Sequence, residues 1–208
     1  EHHSNLVPWQ LVCETQGATV KPIPMDDRGV LDMEAFDRML DEKVKIVSIV
    51  HTSNSLGTIN PIEAIITKAH ARNIPIFVDA AQAVAHEAID VVKLDCDFLA
   101  FSGHKMLGPT GIGVLYGKER HLEAMPPYQG GGEMIKEVSF AGTTYNELPY
   151  KYEAGTPNIA DTVALKAAFD LINGLGKENI RRHEDALLAH ATTRLQEIDG
   201  LHIKGTTP

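Results

Sequence analysis

The 208 residues are 43% hydrophobic, enough for one sizeable core with at most a small appendage. Nineteen Lys and Arg against 28 Asp and Glu leave a formal charge of −9, which argues against nucleic acid or an anionic membrane surface as a partner. The longest apolar runs break within about ten residues, short of the roughly 20 that span a bilayer, and no basic-then-apolar leader precedes them, so the chain reads as a cytoplasmic protein.

Residues 5 to 16 suit a helix with Pro8 in its first turn, and 18–23 then reads as a short strand. Cys13 falls in that helix and Cys96 in a segment read as a buried strand, so both are expected to be reduced core thiols, with no disulfide framework and no thiolate metal site. Asp32 is placed to cap a helix running to about residue 41. The β-branched run 45–50 has strand length and ends in the polar segment His51-Thr52-Ser53-Asn54. Asn60-Pro61-Ile62-Glu63 matches a helix start with Asn60 as cap, and Ile62, Ile65, Ile66 and Ala69 supply one apolar face at helical spacing. Pro75-Ile76-Phe77-Val78 is a further strand that ends in Asp79, which completes a βαβ unit.

A strand over 97–101 runs into Ser102-Gly103-His104-Lys105, and another follows over 111–116. Three strands in sequence thus finish in polar residues. Ligand sites in open α/β sheets gather outside the carboxyl ends of the strands, so Asn54, Asp79 and Lys105 are expected to converge on one crevice. The stretch 126–157 contains Gly130-Gly131-Gly132 and little periodicity, and reads as a long loop, mobile or functional. Helices over 159–175 and 177–198 follow, and a strand is expected from Leu201.

Lys105 follows a buried strand and sits beside Gly103 and Gly108-Pro109, a setting that holds an amine at a cleft, partly desolvated and suited to imine formation. The plain alternative is a solvated surface lysine. Asp79, at the end of an apolar strand, needs a cationic or hydrogen-bonding partner, and either a protonated pyridine nitrogen or the backbone amides of a following helix would serve. Ser102 and His104 can donate to a phosphate, and an imidazole from His2-His3 could lie against a flat ring, although Ser-x-His and a His pair are each ordinary surface sequence too. Lysine, acid, flat group and phosphate donors are what carbon-acid chemistry on pyridoxal phosphate (PLP) requires.

Five separated runs, in order, resemble the group II cysteine desulfurases and selenocysteine-lyase-like proteins, the Suf-type branch of the class-V aminotransferases. They are Glu1 to Gln10, His51 to Gly57, Val78 to Gln82, Phe101 to Gly111 and Glu153 to Asn158. The resemblance implies an α/β fold, the large domain of a fold-type-I PLP-dependent transferase with a mainly parallel sheet flanked by helices. On it, residues 1–175 form the PLP-binding large domain without its N-terminal part. Residues 176–208 are then a connecting helix and the start of a small C-terminal domain.

The same resemblance implies that Lys105 carries PLP as an imine and shuttles protons. It implies that His2 stacks on the ring as an acid or base, Asp79 pairs with the ring nitrogen, and Asn54 and Gln82 reach the phenolic oxygen. Ser102 and His104 would hold the phosphate, and Thr156 would reach into a partner subunit, which implies a homodimer. The implied reaction takes sulfur from L-cysteine, or selenium from L-selenocysteine. It leaves L-alanine and passes the sulfur through an enzyme persulfide to an acceptor protein for iron–sulfur cluster assembly.

The family's persulfide-forming cysteine and its carboxylate-binding arginine match nothing here, and neither does the upstream threonine that contacts the phosphate. The chain is accordingly read as a piece of a longer protein that does not desulfurate cysteine alone. Cys96, flanked by Asp95 and Asp97, is a poor nucleophile because the acids raise its pKa. Other class-V chemistries (an aminotransferase, an epimerase, a kynureninase-like hydrolase) and a scaffold that has lost its chemistry share the same fold.

Overall fold

The computed structural model describes residues 1–206. A 3-10 turn, His3–Asn5, leads into helix α1, Val7–Gln16, with Pro8 in the first turn, where its missing N–H costs no intrahelical bond. Gly17 ends α1 at φ 63°, in the left-handed region, and its N–H closes onto the Cys13 carbonyl. The strand expected over 18–23 does not form. That segment is irregular, pairs with no strand among the described residues, and is followed only by an isolated bridge between Met25 and Leu31. Strand propensity without a neighbouring ladder leaves the backbone unpaired. Helix α2, Met33–Met39, starts as expected: Asp32 Oδ1 accepts the amides of Glu34 at 3.0 Å and Ala35 at 2.8 Å.

The main sheet has four strands in the order β1 (Val47–Val50), β2 (Ile76–Asp79), β3 (Phe98–Ser102) and β4 (Gly113–Gly117). The first three run parallel and β4 is antiparallel to β3, so the sheet is mainly parallel. Helix α3, Ile62–His70, makes the crossover from β1 to β2 and buries Ile62, Ile65, Ile66 and Ala69, the face that the spacing predicts. Each of the three isoleucines contributes about 1.5–3 kcal/mol through that burial. Asn60 does not cap α3. Its side chain instead donates to the Val50 carbonyl at 2.8 Å, tying the crossover to the end of β1, and the cap position falls to Pro61 without a side-chain bond. The short helices α4, Val91–Leu94, and α5, Glu119–Ala124, precede β3 and follow β4.

Strand register separates two faces. Val47, Ile49, Ile76, Val78 and Leu99 join Phe36, Leu40, the α3 face and Leu165, Ala168 and Ile172 in one core. The alternate positions Ser48, Val50, Phe77, Asp79, Ala100 and Ser102 point the other way, because successive side chains on a strand alternate. Trp9 of α1 covers part of that second face, edge-on to Phe77 with ring centroids 5.9 Å apart.

The stretch 126–157 is not a featureless loop. It contains a hairpin of β5 (Ile135–Ser139) and β6 (Gly142–Tyr145), and then a 3-10 turn, Tyr150–Tyr152. Both faces of the hairpin are almost wholly exposed, so it carries no apolar alternation by which a sequence reveals a strand. Helix α6, Ile159–Leu175, has the expected bounds and is capped by Asn158. Helix α7, Lys177–Gln196, ends two residues before the expected 198. No strand begins at Leu201: residues 201–206 are irregular, and the last two positions of that expected element lie outside the described residues.

Candidate active site

The parallel register brings Val50, Asp79 and Ala100 level across β1, β2 and β3, so the segments that follow leave from one end of the sheet. The ladder continues past the strands: the His51 amide donates to the Asp79 carbonyl at 2.8 Å and the Ala80 amide to the Ala100 carbonyl at 2.9 Å. Asp79 is half-buried, and its Oδ1 accepts the Ala81 amide at 3.0 Å. That is the backbone partnership the sequence allowed, although the segment it starts is a run of turns rather than a helix. Asp79 and Ser102 share the face opposite the core, since Asp79 pairs with Ala100 and Ser102 lies two residues on. Gln82, in the turns after Asp79, is half-buried as well.

Lys105 lies in a tight turn, Gly103–Met106, directly after β3. Leu107 closes this turn at φ 65°, its N–H donating to the Gly103 carbonyl. A leucine in the left-handed region costs about 1–2 kcal/mol, and residues held so cluster where the geometry serves a function. Gly103 is needed for the fit: a Cβ there would stand 2.7 Å from Ile112 Cγ2 and 3.0 Å from the Ile112 carbonyl oxygen. Lys105 is half-buried, His104 is exposed, and Met106 beside them is fully buried and anchors the turn in the core.

His2 precedes the first turn, and its Nδ1 accepts the Ser4 amide at 3.1 Å. This contact assigns the proton of the neutral imidazole to Nε2. Glu1 beside it accepts the Ser53 hydroxyl at 2.7 Å, which holds the start of the chain to the segment after β1 that carries exposed Asn54. Thr156 is exposed, in the connection into α6, and makes no side-chain hydrogen bond to the strand-end residues among the described residues. The structure therefore gathers Asp79, Gln82, Ser102, His104 and Lys105 at one sheet end and ties the His2 segment to the loop of Asn54.

The opposite end of the sheet is electrostatically complete. Asp97, just before β3 and fully buried, accepts from His70 Nε2 at 2.7 Å, the Ile76 amide at 2.9 Å, Arg120 Nη2 at 2.9 Å and His121 Nε2 at 2.9 Å. Lys118 Nζ stands 3.4 Å away. By contrast, the side chains of Lys105, Gln82, Ser102, His104 and Asn54 have no protein partner among the described residues. Of these, Lys105, Gln82 and Ser102 are half-buried, and half-buried polar groups without partners mark the carboxyl end as the place where a ligand would complete the bonding.

Cys96 lies in the connection between α4 and β3, not in a strand, and is fully buried. Burial first, and then the charges of Asp97 and Asp95, push its thiol up to about 11. Desolvation thus outweighs the neighbouring acids that the sequence singles out. A separate cavity of about 520 Å³, lined by residues that include His51, Asn60, Glu63, Glu87 and Asp90, contains none of Asp79, Gln82, Ser102, His104 and Lys105. Among the described residues, no cluster of three or more His, Cys, Asp or Glu is placed to hold a metal, and no helix is long and apolar enough to cross a membrane. Asn5, Trp9 and Ser48 form a part-buried polar contact on the open face of the sheet, for which the sequence offers only the i, i+4 spacing of Asn5 and Trp9.

A profile of the family "Aminotransferase class-V" matches residues 1–208. A cysteine desulfurase from Dickeya dadantii is 49% identical over 206 residues, 99% of this chain and 50% of that protein. The crystal structure of a cysteine desulfurase from Escherichia coli superposes with a TM-score of 0.93 at 40% identity, over 96% of this chain and 50% of that one. An apo cysteine desulfurase from Thermococcus onnurineus gives a TM-score of 0.90 at 40% identity, over 95% of this chain and 49% of that one. The chain spans about half the length of the relatives it matches. With the profile matching from the first residue to the last, the chain belongs to the class-V aminotransferase family.

Proposed function

We propose that this chain is the PLP-binding part of a cysteine desulfurase, an enzyme that removes sulfur from L-cysteine, leaves L-alanine and passes the sulfur to an acceptor protein. The observation that carries the reading is the set of unpartnered amine, amide, hydroxyl and imidazole groups beside the Asp79 carboxylate, which keeps one oxygen on the Ala81 amide, at the carboxyl end of three parallel strands, in a family member whose relatives are named cysteine desulfurases. This donor set fits a phosphorylated pyridine aldehyde. Bound there, the cofactor supplies an electron-poor ring that withdraws charge from the substrate Cα.

The chain's own residues do the rest. Lys105 would offer the amine that holds the cofactor covalently and, when free, a base to move the Cα proton of the substrate. Asp79 keeps one carboxylate oxygen on the Ala81 amide and presents the other to the ring nitrogen, favouring its protonated form. Ser102 and His104 would donate to the phosphate and Asn54 and Gln82 to the phenolic oxygen, and His2, its Nδ1 held by the Ser4 amide, would face the ring. Thr156, which is exposed, is assigned to the site of a second subunit in a homodimer. L-selenocysteine is the alternative substrate, and with L-cysteine the sulfur would go to iron–sulfur cluster assembly.

The test is the visible spectrum of the purified protein with PLP, before and after borohydride, with mapping of the reduced adduct. A band lost on reduction and an adduct on Lys105 are expected. A modified lysine elsewhere, or no band at saturating PLP in the full-length protein, would overturn the assignment. A sulfide-release assay on this 208-residue chain should be negative, since neither of its cysteines is expected to receive the sulfur.

A further inference from the structure

The first residues of the chain are fixed to the sheet by a polar contact that no part of the chemistry above requires. Trp9 Nε1 donates to Ser48 Oγ at 2.9 Å and to Asn5 Oδ1 at 3.1 Å, while the Ser48 hydroxyl donates to Asn5 Oδ1 at 2.5 Å. Asn5 is 8% exposed, and Ser48, half-buried, lies 43 residues away on β1, so the contact is long-range and part-buried. Ser48 pairs with Phe77, two residues before Asp79 on the same face of β2, and Trp9 stacks edge-on against that Phe77. The triangle therefore stands on the face of the sheet that Asp79 and Ser102 occupy.

Asn5 also ends the turn that His2 begins. The Asn5 amide donates to the His2 carbonyl at 2.8 Å, and the Ser4 amide to His2 Nδ1 at 3.1 Å. On the other side, Ser53 holds Glu1. His2, half-buried, is thus spanned by two attachments to the same strand and its following loop: Asn5 to Ser48, and Glu1 to Ser53.

We infer that Asn5, Trp9 and Ser48 are positioning residues that fix the His2 imidazole over the open face of the sheet, in its Nε2-protonated form. The inference rests on the proposed role of His2 at the cofactor ring and deepens it. A buried amide oxygen that takes two donors has little freedom to turn, and a turn held by it at one end and by Glu1 at the other cannot swing its ring away. Such an anchor pre-organises the site: the ring is held in place before any ligand arrives, so the ordering entropy is met during folding.

The test uses Ser48→Ala, Trp9→Phe and Ser48→Thr, with His2→Ala as the reference, and two readouts. The first needs no cofactor: hydrogen exchange at the amides of Ser4 and Asn5, which donate to His2. Ser48→Ala and Trp9→Phe should each speed it about tenfold, as expected from one lost net hydrogen bond, and Ser48→Thr should restore it. The second is the visible band of the PLP-loaded protein, which Ser48→Ala should move in the same direction as His2→Ala and by a smaller amount. Wild-type exchange rates in both Ser48→Ala and Trp9→Phe would overturn the inference, as would faster exchange with a band unmoved while His2→Ala moves it. A His2→Ala protein with an unchanged band and unchanged turnover would instead remove the assignment of His2 to the ring, and with it the functional reading of the anchor. Trp9→Phe keeps the ring against Phe77, which guards against a packing loss being mistaken for a lost hydrogen bond.

Discussion

Replacing Asp97 with alanine should destabilise the protein by about 3 kcal/mol. Its side chain is 1% exposed and is the shared acceptor for His70, the Ile76 amide, Arg120 and His121, so it joins α3, β2 and the start of α5 through one carboxylate. Deleting one side of a buried charge pair costs about 3–5 kcal/mol. The lower end applies, because Arg120 keeps 67% of its side chain in water and His70 and His121 keep about a quarter each, and so recover solvation. The Ile76 amide does not recover, and its loss alone accounts for about 1–3 kcal/mol.

A chain of this length shifts its Tm by about 2–4 °C per kcal/mol, so thermal unfolding followed by circular dichroism should show a fall of roughly 6–12 °C. Asp97→Asn keeps one acceptor oxygen and should lose about half as much, and Asp27→Ala, at an exposed position, should stay within about 0.5 kcal/mol of the parent. A loss below about 1 kcal/mol for Asp97→Ala, or equal losses for alanine and asparagine, would refute the reasoning.

The same carboxylate predicts a pH dependence. Burial alone would raise the Asp97 pKa, but the hydrogen bonds from His70, the Ile76 amide and His121, with the charge of Lys118, more than reverse it and hold the group well below the ordinary carboxylate range. A folded-state pKa below the unfolded value of about 3.9 means stabilisation that is complete above that pH and lost as pH falls beneath it. The parent should therefore lose stability below about pH 4 more steeply than Asp97→Asn does.

Asp79→Asn keeps the acceptor for the Ala81 amide but not the charge, so it should lower the turnover of L-cysteine by the full-length enzyme about 100-fold with little change in stability; turnover within a factor of three of the parent would count against the ring-nitrogen role. With its thiol at about 11, Cys96 is thiolate in only about one molecule in a thousand at pH 8, so a thiol reagent should titrate one cysteine in the native protein and two after unfolding. Gly103→Ala should cost about 1–3 kcal/mol and weaken PLP retention, because the added methyl meets Ile112 on both its side chain and its backbone; an unchanged Tm would show that the turn has room.

Local sequence determined the elements that carry their own periodicity or punctuation. The face of α3, the cap at Asp32, the strand ends at Val50 and Asp79 and the span of α6 all follow from spacings within some 17 residues. The five ordered runs that resemble the desulfurases were legible for the same reason, since each is contiguous. Where the sequence misled, a partner in space decided. Residues 18–23 have strand propensity but no neighbouring strand, and Asn60 has cap chemistry but a nearer acceptor in the Val50 carbonyl. The β5–β6 hairpin has strands but no buried face to show them.

The environment of the site was beyond reach for the same physical reason. That Asp97 is saturated while Lys105, Gln82 and Ser102 are not depends on which strand ends lie side by side, and the contact of Ser48 with Asn5 and Trp9 joins positions about 40 residues apart. A sequence of residue types determines which groups are available. Only the register of three parallel strands decides that Asp79 and Ser102 share a face, because a shift of one residue would turn either side chain into the core.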